Sequence, residues 1–147
     1  MAGCLKLPAE NDVEVPMPFT KLNPASIRAP FAAYSHGIAV PAGARLVFAS
    51  GQLGVGPDDV IPEDVEAQTV LCFENIKAIL GEAQMTLQDV VRFNAYVTER
   101  AYFPVYGRVR SRYVTGDAFA SALVIVSGFT RPEFKVEVEV TAARFPD

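Results

Sequence analysis

The segment Val136-Glu137-Val138-Glu139-Val140 alternates between an aliphatic and an acidic residue with a period of two. In an extended strand residues i and i+2 point the same way, so Val136, Val138 and Val140 share one face. Lys135, Glu137, Glu139 and Thr141 share the other. The valine face requires a cover of other elements. The carboxylate face meets either water or a site in which a carboxylate does chemistry.

The rest of the chain supplies that cover. In residues 64–83, DVEAQTVLCFENIKAILGEA, the positions Val65, Thr69, Cys72, Phe73, Ile76, Ile79, Leu80 and Ala83 recur every three to four residues, which predicts a long helix. Glu63, Asp64 and Glu66 suit its positive N-terminal end. Residues 100–114, RAYFPVYGRVRSRYV, predict a second helix with Pro104 in the first turn, where its missing N–H costs nothing. Tyr34–Val40 and Arg45–Leu53 are strand-like runs around PAGA, which predicts a hairpin. Thr86 caps a short turn leading into a strand from Val90, and ALVIV at 122–126 predicts another strand before the turn SGFTRPEF.

The predicted order is strand, strand, helix, strand, helix, strand, strand. One sheet with both helices on one face satisfies it. Two helices cannot cover both faces, so the Glu137 face needs a second subunit. Residues 1–18 carry three prolines and no periodicity and are read as an extended arm, with a single domain over 19–147.

Half the residues are hydrophobic and 20% are charged, a surplus of apolar surface that points to symmetric subunit contacts. No apolar run is long enough to span a bilayer. The net charge of -4 opposes nucleic-acid binding, and Arg108, Arg110 and Arg112 read as a solvated helix face. The N-terminal residues lack the pattern of a signal peptide, so the expected location is cytoplasmic. Two cysteines, Cys4 and Cys72, and one histidine, His36, form neither a disulfide framework nor a metal-ligand spacing; no metal and no cofactor are expected.

Five segments in order resemble the RidA/YjgF family of enamine and imine deaminases: AAYSHGIAV, LVFASGQL, DVEAQTVLCFENIKAIL, LQDVVRFNAYVTE and VEVEVTAAR. The likeness runs from about Phe19 to Arg144. It implies an α/β (α+β) fold of the ferredoxin-like or chorismate-mutase-like kind. It also implies a homotrimer with a central barrel and small-molecule clefts between subunits. The implied chemistry is hydrolysis of an imine or enamine C–N bond, and the family's water-orienting glutamate aligns with Glu137. Glu139, on the same face, is expected to raise the pKa of Glu137 by like-charge repulsion.

The resemblance breaks at the family's substrate clamp, an arginine fifteen residues before that glutamate, where this chain has Ala122. A family asparagine aligns with Tyr106. Either the substrate has no carboxylate, or another cation binds it, or the cleft binds without catalysing. Arg131, on the turn before the last strand, is the candidate replacement, weighed against an ordinary exposed turn arginine. Tyr34 and Ser50 align with cleft residues. Tyr106 and Phe129, with Phe31 and Phe119, are candidate aromatic walls, weighed against core packing. His36 shares the Tyr34 face, with a structural role favoured. Two functions stand: a deaminase-type hydrolase using Glu137, or a noncatalytic small-molecule-binding or protein-protecting trimer. Ribonuclease activity is opposed by the acidic charge and the lack of a paired-histidine site.

Overall fold

The computed structural model describes residues 19–146; the expected arm at 1–18, with Cys4, lies outside them. The elements are β1 (Thr20–Leu22), β2 (Gly37–Ala39), β3 (Arg45–Leu53), α1 (Val65–Glu82), a single 3-10 turn (Leu87–Asp89), β4 (Val90–Val97), α2 (Tyr102–Tyr113), β5 (Ala120–Ile125) and β6 (Val136–Arg144). A four-stranded sheet has the order β3-β6-β4-β5, with β4 and β5 parallel and the other pairs antiparallel. Both helices pack on one face of it.

The alternation of β6 is resolved as expected. Val136, Val138, Val140 and Ala142 are buried beneath the helices, where they meet Cys72, Phe73, Ile76 and Leu80 of α1. β4 follows the same rule: Phe93, Ala95 and Val97 face the core, while Arg92, Asn94 and Tyr96 share the face of Glu137 and Glu139. α1 starts where Asp64 accepts a hydrogen bond from the Ala67 amide at 2.9 Å. Thr86 and Asp89 form a reciprocal capping box at the turn before β4. Pro104 stands third in α2, inside the first turn.

The expected hairpin between residues 34–40 and 45–53 does not form. β2 pairs with β1, through Thr20↔Ala39, Lys21↔Ile38 and Leu22↔Gly37, as a separate two-stranded ribbon. The cause is the anchoring of the residues before β2. The Ser35 amide donates to the Phe119 carbonyl and its hydroxyl to the Asp117 carbonyl, both at 2.8 Å. Ser35 thereby sits fully buried beside β5, at the sheet edge opposite β3, and β2 cannot reach β3.

One buried polar residue ties the sheet to α1. Gln68 donates from Nε2 to the carbonyls of Pro62 and Glu133, each at 2.8 Å, and its Oε1 accepts from the Lys135 amide at 2.9 Å. Three backbone groups on two chain segments satisfy its amide, so its burial is stabilising rather than costly. It fixes the backbone two residues ahead of Glu137.

Candidate functional site

β6 is an inner strand, so its carboxylates project from the middle of the open sheet face. Glu137 stands opposite Leu53 on β3 and Tyr96 on β4. Glu139 stands opposite Asn94, and its other flank meets a bulge in β3, where Ser50 and Gly51 interrupt the register between Ala49 and Gln52. A glycine inside a strand marks a bulge or a close approach, and Gly51 is both. A Cβ at position 51 would overlap the Glu137 carboxylate.

The two glutamates have different surroundings. Glu139 Oε1 accepts hydrogen bonds from Asn94 Nδ2 at 2.9 Å and from the Tyr96 hydroxyl at 3.0 Å. Arg92 Nε donates to Asn94 Oδ1 at 3.1 Å, which fixes the amide so that its NH2 faces Glu139. Glu137 is half-buried and has no side-chain hydrogen bond among the described residues. Burial, and secondly the charge of Glu139, push its carboxyl pKa upward. The like-charge effect expected from the sequence is present, and desolvation is larger. Glu139, as hydrogen-bond acceptor, and then burial raise the Tyr96 hydroxyl. Cys72, behind the sheet, is pushed up to about 12 by burial and then by Glu137, so it is an inert thiol and no nucleophile.

The remaining expected site residues are scattered. Ser50 is exposed on the open face beside Phe48. Ala122 stands on β5 opposite Asn94, so a small side chain occupies the clamp position. Tyr34 and His36 line a groove of about 650 Å3 formed by the loop from Asn23 to Ala33 with Gly116 and Asp117. The Tyr34 hydroxyl accepts from the Phe31 amide at 3.3 Å. His36 Nε2 lies 2.6 Å from the Arg28 carbonyl, which only accepts, so that nitrogen carries the hydrogen; the ring has a structural bond. Arg131 pairs with Asp59, on the loop between β3 and α1, at 3.4 Å and lies over the Phe134 ring, so it is held between the two loops. Phe129 is half-buried on the same loop and Phe31 is exposed.

Tyr106 corrects the sequence expectation. It is 1% exposed and packs against Phe73, because position 106 faces inward on α2 and an aromatic ring there is driven into the core. Burial pushes its hydroxyl up to about 12. Phe119 is likewise core, edge-on to Phe93. Sequence reasoning missed Arg92, Asn94, Tyr96 and Gly51. The first three were available from the period-two alternation of VVRFNAYV, the signal that singled out Glu137. Gly51 becomes informative only when the bulge is seen. Among the described residues no cluster of three or more His, Cys, Asp or Glu could hold a metal, and no helix is long and apolar enough to cross a membrane.

A mixed α+β layer with a carboxylate pair on its uncovered face is the class of protein that fold and site define. The sequence profile of the endoribonuclease L-PSP family matches residues 25–144, and the chain belongs to that family, the YjgF/RidA family. DfrA of Myxococcus xanthus is 35% identical over 111 residues, 74% of this chain and 83% of DfrA. TdcF of Escherichia coli, which carries the name reactive intermediate deaminase, is 28% identical over 102 residues, 67% of this chain and 79% of TdcF. A TdcF structure with bound serine superposes with a TM-score of 0.61, covering 78% of this chain and 91% of that one. The Rid-family protein YyfB of Yersinia pestis gives a TM-score of 0.74 at 25% identity, covering 87% of this chain and all of YyfB.

Proposed function

We propose that this chain hydrolyses the C–N bond of a small imine, enamine or related compound, with Glu137 orienting the water. The observation that carries this reading is the Glu137 carboxyl itself: half-buried, raised in pKa, seated over Gly51 and free of hydrogen bonds to the described residues. A carboxyl whose pKa is raised in this way holds a proton more readily than a solvated glutamate, which suits it to pass one between water and substrate. The naming of TdcF as a deaminase supports the same chemistry. Water oxygen bonds to the imine carbon as the C=N pair moves to nitrogen, and one water proton passes through Glu137 to that nitrogen. Collapse of the carbinolamine repeats the relay with the hydroxyl proton. The C–N bond breaks with its electron pair on departing ammonia, leaving the carbonyl.

A homotrimer with clefts between subunits belongs to this proposal. Phe48 is 74% exposed and lies with Leu46 on the carboxylate face of β3, and Val124 is exposed on the same face of β5; a neighbouring subunit is the natural cover for such a surface. The free, buried Cys72 suits a reducing compartment such as the cytoplasm. The acidic net charge argues against an RNA substrate despite the family's title.

Ala122 in place of a clamp arginine favours a second reading, a trimer that binds small molecules or protects proteins without catalysis. Ammonia release from imines generated in situ from amino acids and from neutral or aromatic amines separates the two. Release that disappears in Glu137→Gln supports the hydrolase. No acceleration over the spontaneous rate with carboxylated or neutral imines leaves the binding trimer.

A further inference from the structure

The open face of the sheet carries a guanidinium, that of Arg92, which forms no direct ion pair among the described residues. Arg92 precedes Asn94 by two residues and Tyr96 by four on β4, and it projects on the side of both glutamates. Its Nε is spent on Asn94. Among the described residues no carboxylate pairs with it, whereas Arg112 pairs with Glu66 and Arg131 with Asp59. The two terminal NH2 groups are left for a ligand.

Those groups border a cavity. Arg92, Thr141, His36, Ile38, Val91 and Ala120 line a space of about 290 Å3. Thr141 stands directly across from Arg92 and adds a hydroxyl. Ala120 stands on the other side of Arg92, and Ala122 on the other side of Asn94, so two small side chains leave a trough along β5. His36 brings a ring whose Nε2 is committed to the Arg28 carbonyl. A fork of guanidinium N–H groups with an adjacent hydroxyl is the recognition chemistry of a carboxylate.

We propose that Arg92, assisted by Thr141, is an anion subsite that receives the distal carboxylate of an elongated C–N substrate whose reacting carbon lies at Glu137. The proposal rests on the deaminase reading of Glu137 and adds a substrate class to it. Arg92 pairs with Thr141 and Tyr96 with Glu137, four residues apart along both strands, which at ~3.3 Å per residue is about 13 Å between backbone rows. A carboxylate on the carbon next to the imine cannot reach both ends. One placed several bonds away can. Between the ends stand the Asn94 amide, bonded to both Arg92 and Glu139, and the Glu139 carboxylate itself, so the middle row repels a second anion and suits an uncharged chain. Held at the far end, the anion is kept four residues along the strand from the like charge of Glu137.

The test is calorimetric titration of the full chain with glutarate and with its neutral counterpart glutaramide, for wild type, Arg92→Gln and Arg92→Lys. The subsite requires that wild type bind glutarate and that Arg92→Gln weaken it by about tenfold or more, the scale of a lost charge-assisted hydrogen bond. Arg92→Lys should restore part of the affinity, and glutaramide binding should be the same in all three. No glutarate binding by wild type, or equal affinity in wild type and Arg92→Gln, overturns the proposal. Ammonia release is read separately. Glu137-dependent release with an unchanged glutarate affinity in Arg92→Gln rejects the subsite and keeps the deaminase. Arg92-dependent glutarate binding without release from any imine supports the subsite and rejects the deaminase.

Discussion

The carboxylate of Glu137 occupies the space above Gly51 in which any other residue would place its Cβ. The bulge at Ser50–Gly51 and the glutamate on the neighbouring strand therefore form one device. Gly51→Ala must displace the carboxyl, and a reactive group moved by about 1 Å loses on the order of 10²-fold in rate. Ammonia release should fall by that order while circular dichroism stays that of wild type. Full activity in Gly51→Ala would remove this contact from the site.

The raised pKa of Glu137 sets the sign of two pH effects. A carboxyl whose folded pKa lies above its unfolded value adds stability below the unfolded pKa and loses that contribution as pH rises through the folded pKa. Glu137→Gln removes this penalty on ionisation. Its melting temperature relative to wild type should therefore increase as the pH rises from the acid range to neutrality. Glu139→Gln removes the like charge that is the second cause of the shift, so the limb of the pH–rate profile governed by Glu137 should move to lower pH without vanishing. A limb that stays in place would show that burial alone sets it.

Gln68 offers a test of how the sheet is registered against α1. Gln68→Leu keeps the volume but leaves the Lys135 amide and the carbonyls of Pro62 and Glu133 without their partner. A buried group stranded in this way costs about 1–3 kcal/mol. Denaturant unfolding should show a loss of at least that size, and Lys135, two residues ahead of Glu137, should lose amide-exchange protection. An unchanged midpoint would mean that water replaces the glutamine.

Periodicity carried most of the architecture. The alternation in VEVEV placed the glutamates on the open face, the 3.6-residue stripe from Val65 to Ala83 placed α1, and Thr86 and Pro104 marked starts that the structure retains. What periodicity cannot reveal is which edges meet. The pairing of β2 depends on Ser35 bonding to Asp117 and Phe119, more than 80 residues away, and no local pattern encodes that. The site divides in the same way. Glu137 was legible from its strand, as Arg92, Asn94 and Tyr96 were in principle from theirs. The hydrogen-bonded file from Arg92 through Asn94 to Glu139 exists only once β4 and β6 are in register. Tyr106 shows the opposite failure: an alignment position suggested a cleft, and helix geometry turned the ring inward.

Phe48 tests the proposed assembly. It is the most exposed large hydrophobic residue of the sheet, on the carboxylate side of an edge strand, and an unpaired strand edge next to an apolar ring invites association. Since Phe48 touches the core little, Phe48→Glu should leave the fold of each chain intact, with a solvent-facing charge in place of the ring. If three sheets close around a common axis, that charge appears three times in a dehydrated contact, where unpaired carboxylates are strongly disfavoured. Sedimentation analysis should then give a trimer for wild type and smaller species for Phe48→Glu, with circular dichroism of the dissociated chain unchanged. Ammonia release should be lost with the trimer if the cleft lies between subunits. A monomeric wild type, or a Phe48→Glu protein that sediments as wild type does, would separate the open face from assembly and require another cover for Phe48.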